Sequence, residues 1–246
     1  MRLGAAVLAS VSLLVPAAGP AGGLAAGPAA GPAPDAPPPL PERMADTGGG
    51  SQLITARAAR TSSTTGTLTW WDRRGRDGRW VAAGSAAARF GAKGLVDGGS
   101  RRQGTNTTPT GLYDLPYAFG IRPAPEGTTT SYRRVTRTSW WCQDNDSRSY
   151  NRWTDPRPAD CRAAESEHLI TYGTQYAYAL VVGFNYERPV RGRGAGIFLH
   201  VNGTGPTAGC VSVPEDAMRR ILDWAEPARE PHIAIGTDDG PTSITG

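Results

Sequence analysis

The chain has 246 residues, of which 39% are hydrophobic and 20% charged, with a formal net charge of +4. The excess of positive charge is small, and the arginines are interleaved with acidic residues rather than gathered in the basic stripe typical of nucleic-acid-binding proteins. We therefore expect no nucleic-acid partner. The 32 glycines and 21 prolines indicate a chain dominated by turns and short strands rather than by long helices.

The N-terminus has the pattern of an export signal. Met1 and Arg2 precede an apolar run over residues 3–15, and small residues suited to cleavage surround Leu24. The run is too short to cross a bilayer. We assign residues 1–26 to a signal peptide and expect a secreted protein without a transmembrane segment. No cysteine precedes Cys142, so we expect no lipid anchor.

A Pro/Ala/Gly-rich stretch over residues 27–50 follows, ending in three consecutive glycines. This composition buries little apolar surface and favours extended conformations, which predicts a disordered linker. Residues 51–238 are long enough to form one domain with a substantial core. We expect residues 239–246 to be a flexible tail.

Strand patterns dominate within the domain. Alternating and β-branched residues predict strands at 52–56, 177–184, 196–200 and 232–235, and a hairpin formed by 67–72 and 79–83. The clearest helix pattern covers 214–225, with Pro214 at its first position and Glu215 and Asp216 in its first turn. A second, shorter helix is predicted over 163–172. The pattern as a whole predicts a mainly β domain with one helix beside a Gly-Cys loop.

Two reactive side chains lie close together in the sequence. An apolar, strand-like run ends at His200, and ten residues later Cys210 follows Gly209. A thiol needs a nearby base to become a nucleophile, and glycine lets backbone amides approach a substrate carbonyl. The alternative is that Cys210 is a buried small hydrophobe and His200 a hydrogen-bonded strand-end residue.

The chain has three cysteines. Cys142 and Cys161 lie nineteen residues apart in a polar stretch, and a bond between them would leave Cys210 as the free thiol. An unpaired thiol in an exported protein is open to oxidation. Its retention is explained by a catalytic role, by burial or by pairing with another molecule. The pairings of Cys142 or Cys161 with Cys210 would abolish a thiol mechanism. We favour the Cys142–Cys161 bond.

The chain resembles the YkuD-type L,D-transpeptidases, cell-wall enzymes of bacteria, over roughly residues 50–236. The most specific similarity is His200 followed by Thr207-Ala208-Gly209-Cys210, which matches the His…[Ser/Thr]-x-Gly-Cys signature. A second is the segment from Gly104 to Tyr113, which contains Thr-Pro-x-Gly-x-Tyr. Three further segments resemble an exported, actinobacterial-like branch of the family: Ser139-Trp140-Trp141, Asn151-Arg152-Trp153 and Gly183-Phe184-Asn185-Tyr186.

The resemblance implies a fold and a reaction. The fold is a YkuD-like catalytic β-sandwich of mixed sheets with one helix next to the Gly-Cys loop. The reaction cleaves the bond between the diamino acid and D-Ala in a peptidoglycan tetrapeptide stem. Cys210 forms a thioester, His200 acts as base and then acid, and an amine of a second stem takes the acyl group in a 3→3 cross-link.

The resemblance also implies the rest of the site. Thr207, Ala208 and Gly209 are expected to form the oxyanion-binding and substrate-binding loop, together with Ser212. The reaction needs no cofactor and no metal, and His168 and His232 lack metal-ligand spacing. The implied partner is the peptidoglycan stem peptide, and we expect a monomer.

Three departures from the family pattern affect the expectation. The interval from His200 to Cys210 is short, Asn106 stands near a position where Asp is common, and Ser212 stands where many members carry Arg or Asn. Two alternatives therefore remain. One is an L,D-carboxypeptidase, in which water takes the acyl group, and the other is a cell-wall-binding domain without catalysis.

Overall fold

A computed structural model describes residues 37–75 and 78–245. The predicted signal peptide and most of the predicted linker lie outside the described residues. The described part forms fourteen strands and one α-helix. In chain order these are β1 (Gln52–Ala58), β2 (Thr65–Arg74), β3 (Arg79–Arg89), β4 (Leu95–Asp97), β5 (Thr108–Asp114), β6 (Ala118–Gly120), β7 (Tyr132–Arg134), β8 (Trp140–Cys142), β9 (Arg152–Thr154), β10 (Glu167–His168), β11 (Ala179–Val181), β12 (Phe198–Val201), β13 (Val211–Val213), α1 (Glu215–Trp224) and β14 (His232–Thr237).

Eleven of the strands form one mixed sheet in the order β4-β5-β14-β1-β2-β3-β13-β12-β11-β6-β7. Strands from the whole length of this sheet contribute to a single hydrophobic core, with Ile54 of β1, Leu68 of β2, Leu180 of β11 and Val213 of β13 all buried in it. A sheet whose distant strands share one core must curl over it, as in a β-sandwich. The mainly β fold predicted from the sequence is confirmed.

Helix α1 packs its apolar face into the same core. Met218, Ile221 and Leu222 are fully buried and recur at helical spacing, as the sequence pattern predicts. Glu215 and Asp216 lie in the first turn, where the helix dipole favours acidic side chains. Pro214 occupies the N-cap position, without a side-chain capping bond, and not the first helical position that the sequence pattern predicts. The helix follows β13 directly and thus anchors the segment that carries Cys210.

Alternation along β12 and β13 separates two faces. Leu199 and Val211 point into the main core, whereas Phe198 and Cys210 belong to a second buried cluster on the opposite face. Since side chains alternate along a strand, His200 lies on the same face as Phe198. The reactive side chains therefore project away from the main core.

A small three-stranded sheet in the order β10-β8-β9 contributes to the second cluster, which contains Trp141 of β8. Glu167 of β10 pairs with Trp141 in the antiparallel register, and Trp153 of β9 pairs with it from the other side. The sulfur atoms of Cys142 and Cys161 lie at disulfide-bonding distance, and Cys210 is the free cysteine. This arrangement is the pairing that the sequence analysis favoured.

Three expectations from the sequence differ from the structure. The compact unit begins at Pro38, inside the predicted linker, because Leu40 packs against Trp80 in a third hydrophobic cluster. Ile244, in the predicted flexible tail, is buried in the same cluster. The predicted helix over 163–172 is instead two 3-10 turns on either side of β10, since β10 pairs with β8.

No helix within residues 37–75 and 78–245 is long and apolar enough to cross a membrane.

Removal of the Cys142–Cys161 bond is expected to lower stability without touching Cys210. The chain-entropy model gives a loss of about 3 kcal/mol in the free energy of unfolding for a loop of this length. Urea unfolding of the Cys142→Ser/Cys161→Ser double variant beside wild type measures the loss. Thiol titration of unfolded, unreduced wild type should find one free thiol, and three free thiols would contradict the pairing.

Candidate active site

The parallel pairing of β12 with β13 sets the position of both reactive side chains. The register places Leu199 opposite Val211 and His200 opposite Ser212. Cys210, one residue before β13, therefore lies beside Phe198, whose amide donates to the Cys210 Sγ at 3.4 Å. His200 is two residues further along β12 on the same face. Both side chains line one cavity.

His200 is buried, with 6% of its surface exposed. Its Nδ1 lies 2.7 Å from the carbonyl oxygen of Val201, an arrangement in which Nδ1 carries the hydrogen and donates it. The Nε2 atom is then the basic nitrogen, and no hydrogen bond within the described residues engages it. Burial lowers the pKa of His200 to about 4, so the imidazole is neutral at pH 7.

Cys210 is equally buried, with 7% of its surface exposed. Its thiol lies 3.4 Å from the carbonyl oxygen of Gly196, which can accept its hydrogen. The pKa of the Cys210 thiol is raised to about 12, chiefly by burial and also by the nearby carboxylate of Glu167. The Phe198 amide and the Arg101 guanidinium act in the opposite direction.

These shifts leave both groups uncharged in the resting protein. A buried site disfavours any charged form, so a preformed thiolate–imidazolium pair is not the resting state. The arrangement suits general-base catalysis, in which the thiol loses its proton to Nε2 only as it attacks a carbonyl.

Cys210 lies between two cavities. The first, of about 210 Å³, includes His200 and Tyr176 and is called the His200 pocket. The second, of about 110 Å³, includes Arg101 and is called the Arg101 pocket. Cys210, Ala208 and Glu167 line both and form the partition between them. A larger cavity, of about 260 Å³, lies elsewhere and contains none of these residues.

The loop before Cys210 is held by Thr207. Its hydroxyl donates to the Cys210 carbonyl oxygen at 2.6 Å and accepts from the Gly209 amide at 3.1 Å. The Gly209 amide is thus engaged within the loop, whereas no acceptor in the described residues engages the amides of Ala208 and Cys210. These two remain available to an oxyanion.

Ser212, which the sequence analysis placed among the substrate-binding residues, is fully buried. Its hydroxyl donates to Oδ1 of Asn202 at 2.8 Å and ties β13 to the start of the loop. Ser212 is not among the residues that line the two pockets. A contact between Ser212 and substrate remains a prediction.

Arg101 is the residue that the sequence analysis missed. Only 5% of it is exposed, and its Nε and Nη1 donate to the carbonyl oxygens of Thr107 and Arg193 at 2.7 and 3.3 Å. No acidic side chain in the described ranges pairs with it. A Cβ at Gly209, where φ is +143°, would lie 2.6 Å from its Nη2. Glycine at this position therefore makes room for a buried cation beside the thiol.

The only sequence signal for Arg101 is its place just before the Gly104–Tyr113 segment. The sequence does not distinguish this arginine from the many others in the chain, because its burial depends on loops that only the fold brings together.

Comparison with known proteins identifies the family of the chain. The family model described as YkuD, L,D-transpeptidase catalytic domain, matches residues 57–235. The solved structure of Bdellovibrio bacteriovorus Bd1075 is 16% identical, with 76% of this chain and 48% of that chain covered and a TM-score of 0.39. The chain thus spans about half the length of that protein, and no argument rests on so distant a likeness. A search of curated proteins found no match.

The burial of His200 predicts a specific dependence of stability on pH. Unfolded His200 binds a proton below about pH 6.5, whereas folded His200 does so only near pH 4. Its contribution to stability is therefore lost as the pH falls through this window. Urea unfolding at pH 7.5 and pH 5 should show about 2 kcal/mol more loss for wild type than for His200→Gln. Equal losses would contradict the burial of a neutral imidazole.

The position of Arg101 predicts an effect on thiol reactivity. Arg101→Gln removes a cation that favours the thiolate, so the pKa of Cys210 should rise and its alkylation by iodoacetamide at pH 9 should slow by about tenfold. Arg101→Lys keeps the charge and should retain most of the rate. Arg102→Gln, at the exposed neighbouring position, is the control. Equal rates in the Gln and Lys variants would show that the charge is irrelevant.

Proposed function

This chain belongs to the YkuD family of L,D-transpeptidase catalytic domains, and on that premise we propose that it is a secreted acyltransferase that forms 3→3 cross-links in peptidoglycan. The observation that carries the proposal is the shared cavity of Cys210 and His200, in which Nε2 of a neutral imidazole is free to accept a proton. Thiol acyl transfer requires this pair.

In the first step, Cys210 attacks the carbonyl carbon of the diamino acid. The thiol leaves its hydrogen bond to the Gly196 carbonyl and gives its proton to Nε2 of His200. The Val201 carbonyl accepts from Nδ1 and steadies the resulting imidazolium. Arg101 and the free amides of Ala208 and Cys210 stabilise the negative charge on sulfur and on the carbonyl oxygen.

Collapse of the tetrahedral intermediate completes acylation. The bond to D-Ala breaks, its nitrogen takes the proton from His200, and D-Ala leaves. The diamino acid remains as a thioester on Cys210. An amine of a second stem then attacks the thioester and restores the thiol. Water as the attacking group would give an L,D-carboxypeptidase with the same first step.

Export is part of the proposal. The charged start and short apolar run of residues 1–26 support a signal peptide. The disulfide distance between Cys142 and Cys161 supports an oxidising compartment, where such bonds persist. Peptidoglycan lies outside the bacterial membrane, so both features agree with the proposed substrate.

The nucleophile is tested by intact mass. Wild type incubated with a disaccharide-tetrapeptide should gain the mass of the tripeptide-stem acyl group and release D-Ala, whereas Cys210→Ala should gain nothing. His200→Gln should form the adduct about 100-fold more slowly, at the low end for loss of a general base. His232→Gln, at a half-buried histidine of β14 that lines neither pocket, should match wild type. An adduct on Cys210→Ala would refute the mechanism.

The acceptor is tested in the same reaction. Addition of a second tripeptide or tetrapeptide stem should convert the adduct into a cross-linked dimer, separable by chromatography and identified by mass. A dimer supports the transpeptidase, and tripeptide alone identifies the carboxypeptidase. With neither adduct nor released D-Ala, the enzyme hypothesis for this donor fails.

A further inference from the structure

Glu167 occupies a place in the site that acylation does not explain. Its carboxylate lines the His200 pocket and the Arg101 pocket, and in both it accompanies Cys210. A negative charge here opposes formation of the thiolate, which the first step requires. Neither the general base nor the oxyanion donors described above involve it.

The carboxylate is held by neutral donors alone. Nε2 of Gln143 donates to Oε1 at 2.8 Å, and the Tyr176 hydroxyl donates to Oε2. No lysine, arginine or histidine in the described part of the chain forms an ion pair with it. Neutral donors orient a carboxylate but leave its charge uncompensated, so it can still attract a cation.

The neighbours of Gln143 fix this orientation. Its backbone carbonyl accepts from Nε2 of Gln103 at 2.8 Å, and Oε1 of Gln103 accepts from the Tyr150 hydroxyl at 2.8 Å. The titratable and charged groups around Glu167 are Tyr176 and Tyr172 from the segment after β10, Cys210 from the loop before β13, and Arg101, which shares the smaller pocket.

The second half of the proposed reaction brings a cation into the site, which the first half does not. The attacking group arrives as an ammonium ion, which has no lone pair until a proton is removed. Sulfur is now the leaving group, and a carboxylate that has taken up the ammonium proton is neutral and does not oppose the negative charge on the departing sulfur. A carboxylate with a raised pKa is a suitable acceptor for that proton.

We infer that Glu167 binds the ammonium group of the acceptor and removes its first proton, so that the protein has a second base for the transfer step besides His200. This inference rests on the proposed function. The ammonium gives one proton to the Glu167 carboxylate, and the neutral nitrogen attacks the thioester carbon. A C–N bond forms, the C–S bond breaks and the electron pair goes to sulfur. The second N–H proton passes through His200 to the thiol, and Glu167 returns its proton to water.

The test compares Glu167→Gln with wild type on the pre-formed thioester. Glutamine keeps an acceptor oxygen and the shape of the side chain but has no charge and no basic oxygen. Transfer to an alkylamine acceptor at pH 7 should fall about 100-fold. Transfer to hydroxylamine, which is largely unprotonated at this pH, should remain near the wild-type rate. Adduct formation should be faster than in wild type, because removal of the charge lowers the pKa of Cys210.

Glu165→Gln is the matched control, two residues earlier on the exposed 3-10 turn. It should behave as wild type with both amines. Parallel loss of transfer to the alkylamine and to hydroxylamine in Glu167→Gln would overturn the inference, because it would identify a merely structural residue. Wild-type transfer rates in Glu167→Gln would overturn it as well.

The two proposals fail differently. If wild type forms no thioester with the donor, the proposed function fails and the role of Glu167 fails with it. If wild type transfers the acyl group and Glu167→Gln does so equally well, only the role of Glu167 is refuted. Alkylation of Cys210 by iodoacetamide gives a readout independent of the donor. Glu167→Gln should react faster at pH 9, and an unchanged rate would show that no charged carboxylate lies near the thiol.

Discussion

The parallel pairing of β12 with β13 is the constraint on which the site depends. It brings Cys210 beside Phe198 and leaves His200 two residues further on the same face. The alternation of side chains sends Leu199 and Val211 into the main core, where they hold the pair in register. A shift of one residue would exchange the two faces and bury the thiol in the core. The hydrophobic core thus specifies the relative positions of Cys210 and His200.

The burial that fixes the geometry also disfavours the charged forms of His200 and Cys210. Neutral His200 and neutral Cys210 avoid this cost at rest, and the charges that develop during the reaction must be met by groups already in place. In the proposed reaction Arg101 and Glu167 are those groups, and both line the Arg101 pocket together with Cys210. In the proposed reaction Arg101 stabilises negative charge on sulfur and on the carbonyl oxygen, whereas Glu167 receives a proton from the incoming ammonium ion. This difference is a physical reason for both side chains to border one thiol.

The sequence predicts the local features of the site but not its charged surroundings. The strand before His200, the Gly-Cys loop and helix α1 all have local patterns, and the structure has each of them. Arg101 and Glu167 have none, because each reaches Cys210 only through tertiary contacts. Glu167 also lies in a segment that the sequence pattern predicts to be helical. It forms a strand instead because it pairs with Trp141. The burial of Leu40, within the predicted linker, likewise depends on a tertiary contact, because Leu40 packs in one cluster with Trp80.

The return connection from β12 to β13 has a consequence for how such a site can diversify. Residues 202–210 reverse the chain between two short parallel strands, and Thr204 and Pro206 on this connection form a wall of the His200 pocket. Near its end, the Thr207 amide donates to the Phe90 carbonyl oxygen, and the Thr207 carbonyl oxygen accepts from the Ala92 amide. Near its start, Nη1 of Arg89 donates to the carbonyl oxygen of Gly203. Between these attachments the backbone belongs to no strand, and doubling a loop costs only about 0.6 kcal/mol in closure entropy. Substrate selectivity can therefore evolve by insertion at this wall while the proposed nucleophile, the proposed base and the core stay unchanged.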